Sequence, residues 1–120
     1  MQWKKPSPEL MDLLTKRMGS FEADKKKMFG STVYFSNGNM FIGVHEDHIF
    51  LRLSEKDRSE LVAMYKEAAQ FEPMKGRPMR EYMNIPPALY EEKSVFDLWI
   101  GRSLDYAKSM PPKASKTKTK

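Results

Sequence analysis

His45, Glu46, Asp47 and His48 form the one cluster in this chain with the donors for metal binding or acid–base work. Two imidazoles flanking two carboxylates could hold a divalent cation or move a proton near neutral pH. The set is incomplete for either role. A zinc site takes three or four protein ligands, whereas Glu46-Asp47 is an acidic pair of the kind that tight turns select, leaving two cross-strand histidines without a third ligand. The expectation is therefore a structural turn, with no metal and no cofactor. Other catalytic patterns are missing as well: the chain has no cysteine, no nucleophile elbow, no phosphate-binding glycine loop and no HExxH sequence. No catalytic residue is assigned, and the chain is read as a non-enzyme.

Groups suited to recognition are better represented. Lys25, Lys26 and Lys27 make a short basic run, which reads first as a solvated strand entry and second as a phosphate contact. Arg77, Arg80 and Glu81 could bind an anion, but they read first as an exposed, salt-bridged edge. The third group is aromatic, and its members are identified only once strand register is known.

That register follows from Lys27 to Leu53, KMFGSTVYFSNGNMFIGVHEDHIFLRL. Asn37-Gly38 between two alternating runs is a strong hairpin signal, because both residues tolerate the positive φ of a type I′ turn. A two-residue loop pairs Ser36 with Asn39, Phe35 with Met40, Tyr34 with Phe41, Val33 with Ile42 and Thr32 with Gly43. A second turn at Glu46-Asp47 pairs His45 with His48, Val44 with Ile49, Gly43 with Phe50, Ile42 with Leu51 and Phe41 with Arg52. Alternation then gives one apolar face of Val33, Phe35, Met40, Ile42, Val44, Ile49, Leu51 and Leu53. The opposite face holds Thr32, Tyr34, Phe41, Gly43, Phe50 and Arg52. Tyr34, Phe41, Phe50 and Arg52 are the candidate partner surface, with Phe41 beside both Tyr34 and Arg52. The competing reading is a second core layer covered by a helix such as the one bearing Trp99. Base stacking ranks below both, because only Arg52 supplies charge on these strands.

The supporting elements have their own signals. Ser7 as N-cap, Pro8 and Glu9 open a helix that stops near Gly19, with Leu10, Leu13, Leu14 and Met18 on one face. Residues 21–26 read as a polar connection. Ser54 with Asp57 opens a helix to about Ala69, carrying Leu61, Tyr65, Ala68 and Ala69. FEPMKGRPMREYM reads as a second, less regular hairpin turning at Lys75-Gly76, with its prolines confined to edges. One helical turn is expected over Pro87 to Glu92. Ser94 with Asp97 starts a last helix to about Met110, with Phe96, Trp99, Ile100, Ser103, Leu104 and Ala107 on one side. The order is α-βββ-α-ββ-α, an α+β plan around an antiparallel five-stranded curved sheet.

The 120-residue length suits a single core. Residues 1–112 are expected to form one domain, and residues 113–120 a disordered basic tail. The formal charge of +5 belongs mostly to that tail, whose four lysines and no acid leave +1 for residues 1–112. Ten methionines point chiefly to adaptable packing. Apolar runs are short, and MQWKKPSPEL lacks a hydrophobic signal region, so the expected setting is cytoplasmic and not membrane-bound.

These elements carry a family resemblance. Lys27-Met28-Phe29-Gly30, Val33-Tyr34, Gly38-x-Met40-Phe41 and Ile49-Phe50-Leu51, followed by Phe71, Pro73-Met74-x-Gly76-Arg77-Pro78-Met79, Tyr82 and Ile85-Pro86, resemble the TfoX N-terminal domain of the TfoX/Sxy competence regulators. The resemblance covers about residues 8–110. It implies a curved antiparallel sheet with packing helices, similar to secretion-chaperone-like α+β domains, and it brings no catalytic residues. Regulators of this family carry a further C-terminal helical domain and work with the cyclic-AMP receptor protein at competence promoters. The family's arginine-rich approach to Met-Phe-Gly is replaced here by lysines, which lack the planar fork for bidentate contacts. The expected function is a small interaction domain accessory to transcription regulation, with a protein partner for which a second copy of the chain is one candidate. The alternative is direct nucleic-acid binding through Lys25–Lys27 and the basic tail.

Overall fold

A computed structural model describes residues 7–28, 31–72, 76 and 80–111. Helix α1 (Pro8–Met18) starts as expected: Ser7 has extended backbone, its Oγ accepts the Leu10 N–H at 3.2 Å, and Pro8 occupies the first turn. Leu10, Leu14 and Met18 are buried, and Leu13 packs partly against the same core. The chain then enters β1 (Asp24–Met28), β2 (Ser31–Ser36), β3 (Asn39–His45) and β4 (His48–Arg52). Strand β1 corrects the expected polar connection. Its lysines pair antiparallel with β2, Lys25 opposite Tyr34 and Lys27 opposite Thr32. Lysine side chains suit an edge strand, where their charge deters pairing with another chain.

Both tight turns form where expected, with positive φ at Asn37, Gly38 and Glu46. The β3–β4 register also matches the sequence reading, from Ile42↔Leu51 to His45↔His48. The β2–β3 ladder does not. Ser36↔Asn39 and Phe35↔Met40 hold, but the register then shifts, giving Tyr34↔Ile42 and Val33↔Gly43. One extra β3 residue, Phe41, is accommodated in a bulge, so Phe41 and Ile42 both join the helix-side core. This reverses the expected faces of β2 and of the turn-side end of β3. Tyr34 and Phe41 move into the main core, whereas Val33, Phe35 and Met40 pack with Phe50 on the opposite face.

Helix α2 (Glu55–Met64) begins at the expected Ser54 cap but stops before Tyr65, whose backbone is extended. The expected continuation to Ala69 is replaced by β5 (Ala69–Gln70), which pairs with β6 (Tyr82–Ile85). Ladder bonds and burial of Phe71 offer more than a further helical turn of lysine, glutamate and alanine. The second hairpin is therefore present, but its strands lie farther from its turn than expected. Gly76 takes a positive φ of 81°, while residues 73–75 and 77–79, including Lys75 and Arg77, lie outside the described residues. The antiparallel sheet has six strands, not five, in the order β1-β2-β3-β4-β6-β5.

Helix α3 (Pro87–Tyr90) gives the expected short turn. Helix α4 (Lys93–Ser109) starts after Glu92, so Ser94 lies inside its first turn and makes no cap. Its predicted apolar side is buried throughout: Phe96, Trp99, Ile100, Ser103, Leu104 and Ala107. Each large side chain buried there is worth about 1.5–3 kcal/mol. Trp99 therefore belongs to the helix-side core, not to a cover over the Phe50 face. At the far end of α4, Asn37 Nδ2 donates to the Lys108 carbonyl, and Asn39 Nδ2 donates to the carbonyls of Ala107 and Pro111. The β2–β3 turn thus satisfies helix-end acceptors that α4 cannot satisfy itself.

Candidate interaction surface

The expected partner surface is dispersed. Tyr34 and Phe41 are core residues, with Phe41 fully buried and its carbonyl accepting from Ser103 Oγ at 2.9 Å. The same hydroxyl reaches the Arg52 carbonyl at 2.7 Å, so one α4 side chain serves both the bulge and the end of β4. Phe50 is buried beneath Phe71, their rings stacked at 4.4 Å and 8°. Tyr82 meets Phe50 edge-on at 5.8 Å and donates its hydroxyl to the Met40 carbonyl at 2.8 Å. Burial pushes the Tyr82 phenol up. Phe50 thus belongs to an internal aromatic layer whose other members, Phe71 and Tyr82, were not placed beside it from the sequence. Phe71 opens the stretch read as an irregular second hairpin, where no alternation marked which face of the sheet it would join.

Arg52 does not lie over Phe41. Its guanidinium stands 5.4 Å from the Tyr82 ring centre, with Nε and Nη2 2.7 and 2.6 Å from Glu81 Oε1. Tyr106 donates to Glu81 Oε2 at 2.9 Å. Burial opposes charge on Glu81, but the hydrogen bonds from Arg52 and Tyr106 prevail and hold its carboxyl below the usual glutamate value. This network joins the end of β4, the entry to β6 and α4.

The β1 lysines are exposed but do not converge. Lys25 and Lys27 follow the helix-side face of Tyr34, whereas Lys26 points the other way, its Nζ 4.8 Å from the Phe35 ring centre. At the other turn, His45 packs edge-on to Phe71 at 5.1 Å, and His48 Nε2 lies 3.3 Å from Asp47 Oδ1. Among the described residues, no three His, Cys, Asp or Glu side chains are grouped to hold a metal ion. No described helix is long and apolar enough to cross a membrane.

An open groove of about 580 Å³ lies between α2 and the β5–β6 edge. Val62, Ala68 and Met83 give it apolar walls, and Arg58, Arg80 and Glu55 supply its charge. Val62 is 50 % exposed, and nearby Met64 is 56 % exposed. Arg58 Nη1 donates to the Leu53 carbonyl at 2.7 Å, whereas the exposed Arg80 guanidinium has no ion-pair or hydrogen-bond partner among the described residues. Sequence reading assigned nothing to Val62, although Leu61, Val62 and Met64 are spread around α2 instead of forming one stripe. That spread was the available signal, since a helix burying only Leu61 leaves its other apolar residues in water.

No curated protein matches the chain, and no solved structure matches it. The family model for the TfoX N-terminal domain matches residues 14–107, from the middle of α1 almost to the end of α4. The chain belongs to the TfoX N-terminal domain family.

Proposed function

We propose that this chain is a non-enzymatic protein-interaction domain and acts as an accessory to transcription regulation. The observation supporting this reading is the groove beside α2. It combines a half-exposed valine, apolar walls and an arginine without a partner among the described residues, whereas the aromatic residues of the sheet are already packed internally. Exposed apolar surface rimmed by charge is a recurrent property of partner sites. The transcriptional part of the reading comes from the family relationship. It is tested by affinity purification with the full chain, followed by reconstitution of each recovered protein from purified components. A saturable complex with a transcription component is expected; failure of every recovered protein to rebind in purified form refutes the reading.

A second reading, direct nucleic-acid binding, has its own observation. Asn39 holds the Pro111 carbonyl at 3.3 Å beside the β2–β3 turn, and Lys113, Lys116, Lys118 and Lys120 follow Pro111 in the sequence. Strand β1, with Lys25–Lys27, begins at the same end of the sheet, Asp24 pairing with Phe35. Mobility shifts across a salt series test it: each phosphate neutralised on duplex DNA contributes about −0.9 to the log–log slope. Truncation after Pro112 should flatten that slope, and salt-independent affinity contradicts the reading.

A further inference from the structure

We propose that the α2 groove receives an acidic and apolar segment of a partner protein, which seats an apolar side chain against Val62, Ala68 and Met83 and a carboxylate on Arg80. This rests on the interaction reading and adds the chemistry of the occupant. Three observations carry it. The charged lining is two arginines against Glu55, and Arg80 lacks a partner among the described residues, so an acidic segment is attracted where a basic one is repelled. The exposed Val62 side chain and the space beside it leave room for an apolar side chain. Finally, β5 ends the strand order, and among the described residues no strand pairs with its outer edge. Phe71 N–H donates to the Tyr82 carbonyl at 2.9 Å, so the alternating antiparallel pattern turns Ala69 and Phe71 toward β6 and the backbone N–H and C=O of Gln70 outward. An extended segment entering the groove can bond to Gln70 while its side chains reach Val62 and Arg80.

The test is fluorescence anisotropy with the full chain and three short labelled peptides: alternating leucine and glutamate, leucine and lysine, and serine and glutamate. Saturable binding is expected for the leucine–glutamate peptide, with at least about fivefold weaker binding of the other two. Arg80→Glu and Val62→Asp should each weaken the leucine–glutamate complex about tenfold or more. Lys25→Glu, which removes a cation on the opposite sheet edge, should change it less than about twofold. Both groove side chains are exposed, and thermal melts establish that their variants are folded. No saturation by about 1 mM overturns the inference. So does equal loss in Lys25→Glu, or indifference to Val62→Asp. If a partner reconstituted as above binds Arg80→Glu and Val62→Asp like the wild type, the groove assignment falls and the interaction reading stands.

Discussion

Gly43→Ala tests the register of the sheet and the rigidity of its aromatic layer together. A methyl group at Gly43 would stand 2.6 Å from Val33 Cγ1 and 2.7 Å from Phe50 Cζ. Both distances fall roughly 1 Å inside ordinary carbon–carbon contact. Neither neighbour has an easy retreat: each is only 3 % exposed, and Phe50 is held by stacking on Phe71 and by the edge of Tyr82. Overpacking costs about 1–3 kcal/mol, and two simultaneous collisions put this substitution near the upper end. Replacing glycine returns at most about 1 kcal/mol through reduced backbone freedom. The expected net loss is about 2 kcal/mol, which corresponds to a melting temperature lower by roughly 8 °C. Urea unfolding followed by far-UV circular dichroism should show a lower midpoint with an unchanged slope. Adding Phe50→Leu should recover part of the loss, giving a coupling above about 0.5 kcal/mol in the double-mutant cycle. A Gly43→Ala protein within about 0.5 kcal/mol of wild type, or strict additivity with Phe50→Leu, refutes the packing argument.

Gly101→Ala, in mid-α4 with open space around the new methyl, should stabilise by about 0.5–1 kcal/mol in the same urea assay. Ser103→Ala should cost about 1–3 kcal/mol, because the Phe41 and Arg52 carbonyls lose their shared donor in a buried site; Ser103→Thr should be less harmful if its methyl is accommodated. Glu81 has a lowered folded-state pKa, so its stabilising contribution is present above the unfolded glutamate value of about 4.3 and disappears as pH falls through the folded value. Glu81→Gln should therefore flatten the acid limb of a melting-temperature profile below that value while leaving its shape near neutrality unchanged.

The sequence was most legible where turn chemistry and apolar spacing agreed. Asn37-Gly38, the β3–β4 register, the Ser7 cap and the buried side of α4 all follow from local rules and survive in the structure. The bulge at Phe41 was not legible, because alternation continues smoothly through Tyr34 and Phe41 and nothing local shows that Ser103 will bind the bulged carbonyl. That one insertion redistributed the candidate site, sending Tyr34 and Phe41 inward while Phe71 covered Phe50. Strand β1 was hidden for a different reason: its lysines are selected by its position at the sheet edge, not by strand propensity. The α2 groove depends on where that helix stops, which is decided by β5 pairing with a strand more than ten residues away.

The hold that Asn37 and Asn39 keep on the end of α4 has a kinetic consequence. These hydrogen bonds join residues 68 to 72 positions apart, so the meander cannot receive its last clamp until the chain has been synthesised through Pro111. Closing a segment of that length carries a large entropy cost before any contact is gained, which favours late, concerted docking of α4 over stepwise growth along the chain. On a ribosome α1 and the six strands would emerge first, with the part of the helix-side face that α4 covers still exposed until the last helix closes the domain.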